Sequence, residues 1–104
     1  MTGAASTGLR FVVSGGASGI GLSVARLAVQ RGARVALLDL DQAGLAAACA
    51  ALGDAALPLP CDVADPHAVR AAVDAAAHWL GGVDALVNSA GIDSLKPLEQ
   101  TGDN

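Results

Sequence analysis

Short apolar runs alternate along this chain with alanine-rich stretches of helical spacing, and that alternation restricts it to strands separated by helices. Leu9, Phe11, Val12 and Val13 form the first run, Val35 to Leu38 the second and Val83 to Val87 the last. None of them alternates cleanly between apolar and polar, which is the pattern of a strand covered on both faces. Ala55 to Leu59 is a weaker strand, because Pro58 and Pro60 lack backbone donors and fit only an edge position.

The helices are read from their faces and their ends. Ile20, Val24, Leu27 and Arg31 fall at helical spacing, Leu22, Ala25, Ala28 and Val29 widen the apolar side, and Gly32 stands where a C-terminal cap belongs. Asp41 suits the N-cap of a second helix reaching about Leu52, with Leu45, Ala48, Cys49 and Leu52 on one face and Gly53 closing it. Asp65-Pro66 opens a third, an acidic cap followed by a proline where its missing N–H costs nothing. Val69, Val73, Ala76 and Leu80 repeat along it until Gly81-Gly82. Right-handed crossovers then make the chain an α/β, Rossmann-type unit, the first half of a doubly wound parallel sheet in the order 3-2-1-4. No linker or low-complexity segment divides residues 1–104, so a single domain is expected.

Composition removes several classes of function. With 6 basic and 10 acidic residues the formal charge is −4, a poor match to nucleic acid or an anionic membrane surface. The least polar stretch, Ala43 to Leu52, is far shorter than the ~20 residues that cross a bilayer. Met1 to Gly8 lacks the basic start and apolar run of a secretion signal, so a cytoplasmic location is expected. Cys49 and Cys61 form no Cys-x-x-Cys pair and have no matching histidine spacing, which fits reduced thiols and no metal site.

The chemistry concentrates in Ser14-Gly15-Gly16-Ala17-Ser18-Gly19-Ile20-Gly21, between the first strand and the first helix. Glycines permit a tight turn and a close approach of backbone to a diphosphate, while the helix start offers free N–H groups and the positive end of its dipole. Asp39 ends the second strand 18 residues after Gly21, where a carboxylate can accept from both hydroxyls of an adenosine ribose and repel a ribose phosphate. No Arg or Lys lies within the glycine turn or directly after Asp39, so NAD is favoured over NADP. Asp41 already suits the capping role that would otherwise account for Asp39. Asp62 read alone could also be simply a polar strand end, since Asp is common in turns. His67, His78 and Lys96 read as solvated, and Trp79 as a packing or interface anchor.

Taken together, Ser14-Gly15-x-x-x-Gly19-x-Gly21, Asp39, Cys61-Asp62-Val63 and Asn88-Ser89-Ala90-Gly91 resemble the short-chain dehydrogenase/reductase family over nearly the whole chain. The resemblance implies Gly15, Ser18, Gly19, Ile20 and Gly21 around the pyrophosphate of NAD and Asp39 on the adenine ribose. It implies Asp62 and the Val63 backbone at the adenine ring, and Asn88, Ala90 and Gly91 along the cofactor. Two departures are visible: Ser14 stands where Thr is commoner, and Ser89 replaces the second Asn of the usual Asn-Asn-Ala-Gly.

The family exchanges hydride between nicotinamide and a small-molecule alcohol or ketone, with a Tyr-x-x-x-Lys motif that this sequence, with no Tyr, does not contain. No catalytic residue is therefore assigned. The resemblance makes the chain the cofactor-binding portion of such an oxidoreductase, with the catalytic half absent and no turnover expected of it alone. Homo-oligomers are common in the family. A non-catalytic dinucleotide-binding module or partner subunit is a second reading. A methyltransferase of similar topology is a third, opposed by the glycine spacing and by Asn-Ser-Ala-Gly.

Overall fold

A computed structural model describes residues 8–89 of the chain. Its elements run β1 (Arg10–Ser14), α1 (Gly19–Gln30), β2 (Arg34–Asp39), α2 (Gln42–Leu52), β3 (Ala56–Pro60), α3 (Pro66–Leu80) and β4 (Ala85–Asn88). The strands form one parallel sheet in the order β3-β2-β1-β4, as the sequence implies. A short 3-10 turn, Gly53–Ala55, links α2 to β3 where the sequence alone indicates only a terminating glycine.

Side-chain alternation along the strands builds two cores. Val13, Val35 and Leu37 face α1 and α2, where Ala25, Leu45 and Ala48 meet them. Val12, Ala36 and Leu38 face α3 and pack on Ala72, Ala76 and Leu80. The small residues of the helices let them lie close against the sheet, and full burial of each leucine at 37 and 38 is worth on the order of 2 kcal/mol. Both cysteines are free; Cys61 is buried and Cys49 half-buried. Burial pushes both thiols up, Asp62 and Asp65 adding to the effect at Cys61, so both stay protonated at neutral pH. Among the described residues no helix is long and apolar enough to cross a membrane.

The helix ends behave as their sequences require. Gly32 N donates to Val29 O and Ala33 N to Ala28 O, the paired bonds of a Schellman ending at α1. Asp41 accepts from Gly44 N at 2.9 Å and Asp65 from His67 N at 3.0 Å, so both aspartates cap as read from the sequence.

Two arginines tie the lower edge of the sheet to the end of α3. Arg10 donates through Nε and Nη2 to the two oxygens of Asp84, each at 2.9 Å, and through Nη1 to Gly81 O at 2.8 Å. This forked pairing holds the Asp84 carboxyl below its usual range and raises the Arg10 guanidinium. Arg34 lies 4.3 Å over the centre of the Trp79 ring and donates to Trp79 O at 2.9 Å. A cation there also compensates the negative end of the helix dipole. Arg34→Met is expected to lower the unfolding free energy by about 1–2 kcal/mol. Urea denaturation followed by the fluorescence of Trp79, the only tryptophan in the sequence, measures it directly.

Candidate functional site

The C-terminal ends of β1, β2 and β3, the start of α1 and the segment after β4 enclose an open cleft of about 420 Å³. Gly15, Ser18, Gly19, Ile20, Asp39, Leu40, Asp62, Val63 and Ser89 line it. Clefts at the carboxyl ends of parallel strands, where the chain order turns from one side of the sheet to the other, are where open α/β sheets bind ligands. β1 is that turning point, with β2 on one side and β4 on the other.

The glycine turn takes its shape from two kinds of constraint. Gly15 and Gly19 have φ of +72° and +60°, which L side chains adopt only at a cost. Gly21 lies in the first turn of α1, and a Cβ there would collide with Gly15 O and Ser89 Oγ. Gly15 N and Gly16 N both donate to Leu38 O, at 2.7 and 3.2 Å, fastening the turn to the end of β2. Ser18 occupies the N-cap position of α1 with extended backbone, and its side chain makes no capping bond. The first-turn amides of α1 thus keep the unsatisfied donors of an uncapped helix start beside the cleft.

Asp39 is held by the backbone around it. Its Oδ2 accepts from Ala17 N at 3.1 Å and its Oδ1 from Asp41 N at 3.0 Å. An ionised carboxylate has about four acceptor positions, so these two bonds orient the group and leave capacity on each oxygen for further donors. The capping of α2 falls to Asp41, which separates the two roles as the sequence indicates. Asp62 accepts from Ala64 N at 2.9 Å through Oδ1, closing a local turn that brings Val63 to the cleft wall.

Seven of the residues singled out in the sequence therefore share one cleft: Gly15, Ser18, Gly19, Ile20, Asp39, Asp62 and Val63. Gly21 packs behind it as the close-contact glycine. The Asn88 side chain accepts from Ser14 Oγ at 2.9 Å, across the β1–β4 pair in which the two residues are register partners. Ala90 and Gly91 lie outside the described residues, as does Lys96. Two lining residues carry no assignment from the sequence. Leu40 is 68% exposed at the cleft rim, and its signal is only its place after Asp39. Ser89 was visible as a departure from the family pattern. Its hydroxyl lies 2.8 Å from Ser14 O and 3.1 Å from Gly15 O, a shared donor to both. Among the described residues no group of His, Cys, Asp or Glu is arranged to hold a metal ion.

A glycine-cradled cleft at the switch point of a parallel sheet defines a dinucleotide-binding class of fold, and sequence comparison narrows the class. The short chain dehydrogenase family model matches residues 10–104, and the chain belongs to that family. It is 46% identical over 92 residues to a D-threitol dehydrogenase of Mycolicibacterium smegmatis, covering 86% of this chain and 35% of that protein. It is also 46% identical over 89 residues to a 3-oxoacyl-(acyl-carrier-protein) reductase of Bos taurus, covering 86% and 38%. The crystal structure of a 3-ketoacyl-(acyl-carrier-protein) reductase from Brucella melitensis complexed with NADH superimposes with a TM-score of 0.74 at 36% identity, covering 77% of this chain and 33% of that one. The chain thus spans about a third of the length of these relatives.

Proposed function

We propose that this chain binds NAD(H) in the cleft at the ends of β1 and β2, and that the activity it serves is hydride exchange with a small-molecule alcohol or carbonyl compound. The observation that carries the reading is Asp39, whose carboxylate is fixed by Ala17 N–H and Asp41 N–H on the rim of the same cleft that the glycine turn forms. The cleft falls within the few-hundred-Å³ range of small-molecule sites, and the residues around it divide into an amide-rich end and an acidic end.

In this reading the uncapped amides at the start of α1 and the turn from Gly15 to Gly19 receive the diphosphate, where no Cβ obstructs the approach of backbone at Gly15 or Gly19. Asp39 accepts from the two ribose hydroxyls, and its charge disfavours a phosphate at that position. Leu40 follows it and no Arg or Lys stands in the glycine turn, which favours NAD(H) over NADP(H). Asp62 keeps one oxygen free of its turn bond for an amino group on the adenine ring, with Val63 and Leu40 supplying apolar wall. When bound, the nicotinamide supplies the hydride donor or acceptor. Residues 1–104 contain no Tyr, so the role assigned to this chain is to hold and orient the cofactor, and no proton-transfer residue is assigned.

Titration with NADH and NADPH, followed by the change in nicotinamide fluorescence, tests the reading. Saturable binding of NADH with affinity at least about tenfold above that of NADPH is the expected result, since loss of a charge-assisted pair of hydrogen bonds costs ~1.5–3 kcal/mol. A folded chain that binds neither dinucleotide, or prefers NADPH, overturns it.

A further inference from the structure

We propose that Ser89 is a positioning residue for the diphosphate-binding turn, its hydroxyl fastening the Gly15 carbonyl to the end of β4. The proposal rests on the cofactor-binding reading above and adds a residue to it.

Gly15-Gly16 is the least constrained link of the turn, because two successive glycines have the widest choice of backbone angles. Their peptide group must nevertheless hold one orientation. A carbonyl oxygen turned toward the cleft would present a lone pair to an anion, in a place where amides are needed. The structure restrains this peptide from two sides. On the β2 side Gly16 N donates to Leu38 O at 3.2 Å, and Gly15 N donates to the same oxygen at 2.7 Å. On the β4 side the carbonyl of the same peptide group, Gly15 O, accepts from Ser89 Oγ at 3.1 Å.

Ser89 is itself anchored. Its backbone N donates to Ser14 O at 3.1 Å, and its hydroxyl lies 2.8 Å from that same oxygen, so the side chain has little freedom to leave Gly15. Gly21 completes the junction, since the position of its missing Cβ abuts both Gly15 O and Ser89 Oγ. The end of β1, the first turn of α1 and the end of β4 therefore meet at one hydroxyl, and that hydroxyl belongs to a residue lining the cleft. A residue whose only task was to pair strands would need its backbone alone; the hydroxyl reaches past the strand pair into the turn.

The test compares the wild-type chain with Ser89→Ala, which removes the donor, and Ser89→Thr, which retains it. NADH affinity is read by fluorescence titration and stability without ligand by urea denaturation. Ser89→Ala is expected to weaken NADH binding about five- to tenfold, the scale of one lost hydrogen bond, while Ser89→Thr stays within about twofold of wild type. NADH binding by Ser89→Ala equal to that of wild type, in a chain that binds NADH, overturns the role of Ser89 and leaves the cofactor site standing. A Ser89→Thr chain as weak as Ser89→Ala while equally stable without ligand also overturns it, because the hydroxyl would then not be the operative group. A folded wild-type chain that binds no NADH overturns both.

Discussion

Gly21→Ala should lower the unfolding free energy by about 2–3 kcal/mol and reduce NADH affinity by more than about tenfold, a larger structural effect than a methyl group at Gly19. The added Cβ would meet Gly15 O and Ser89 Oγ at a separation no relaxed structure tolerates, and Gly15 O can give way only by breaking the hydrogen bonds that hold its peptide to Leu38 O and Ser89 Oγ. Either α1 shifts along its axis or the turn opens, and both movements carry the first-turn amides away from the site where a diphosphate would sit. Gly19→Ala makes an informative contrast. Among the described residues no neighbouring atom lies within 4 Å of a Cβ placed at Gly19, so its cost comes chiefly from φ of +60°, about 1–2 kcal/mol. Urea denaturation and NADH titration of the two variants separate a steric from a conformational requirement. Equal affinity of Gly21→Ala and wild type would show that the close contact does not shape the site.

If Asp39 holds the ribose as proposed, Asp39→Ala should weaken NADH binding by roughly 10- to 100-fold and bring NADPH to parity or better, because the variant would lose two charge-assisted bonds to ribose and also the charge that opposes a phosphate. Part of the loss is indirect. Ala17 N and Asp41 N lose their acceptor, and Ala17 belongs to the glycine turn itself. Asp39→Asn isolates the electrostatic component, since a side-chain amide oxygen can still accept one of those backbone bonds while the negative charge is gone. The ratio of NADH to NADPH dissociation constants, measured for all three chains, is the deciding quantity. A ratio unchanged by either substitution would remove Asp39 from the recognition of the sugar.

The order of strands and helices was legible because each element carries its own stop. Gly32 ends α1 with the bonds its position requires, Asp41 and Asp65 cap α2 and α3, and the prolines at 58 and 60 assign β3 to the edge. Seven cleft residues were legible for a related reason: they sit at strand ends and in a glycine turn, where few other roles compete. What escaped the sequence was long-range. Ser89 could be recognised as an unusual residue, but that its hydroxyl bridges two carbonyls 74 and 75 positions away depends on the parallel pairing of β1 with β4. Leu40 escaped because an exposed leucine has no signature of its own; only the folding of β2 against the glycine turn puts it at the rim. The same pairing accounts for Asn88, whose side chain meets Ser14 across the strands.

The prolines of β3 have a wider effect than marking an edge. Cys61 N donates inward to Asp39 O, so by the two-residue alternation of a strand the amide positions of residues 58 and 60 point away from β2, where proline supplies no hydrogen. That flank lacks two of the donors that another strand would pair with, whether from a neighbouring molecule or from a misfolded copy. Among the described residues the two flanks of the sheet are therefore unequal: the β4 side, Ala85–Asn88, carries an unbroken row of backbone donors and is the better suited of the two to take a further strand.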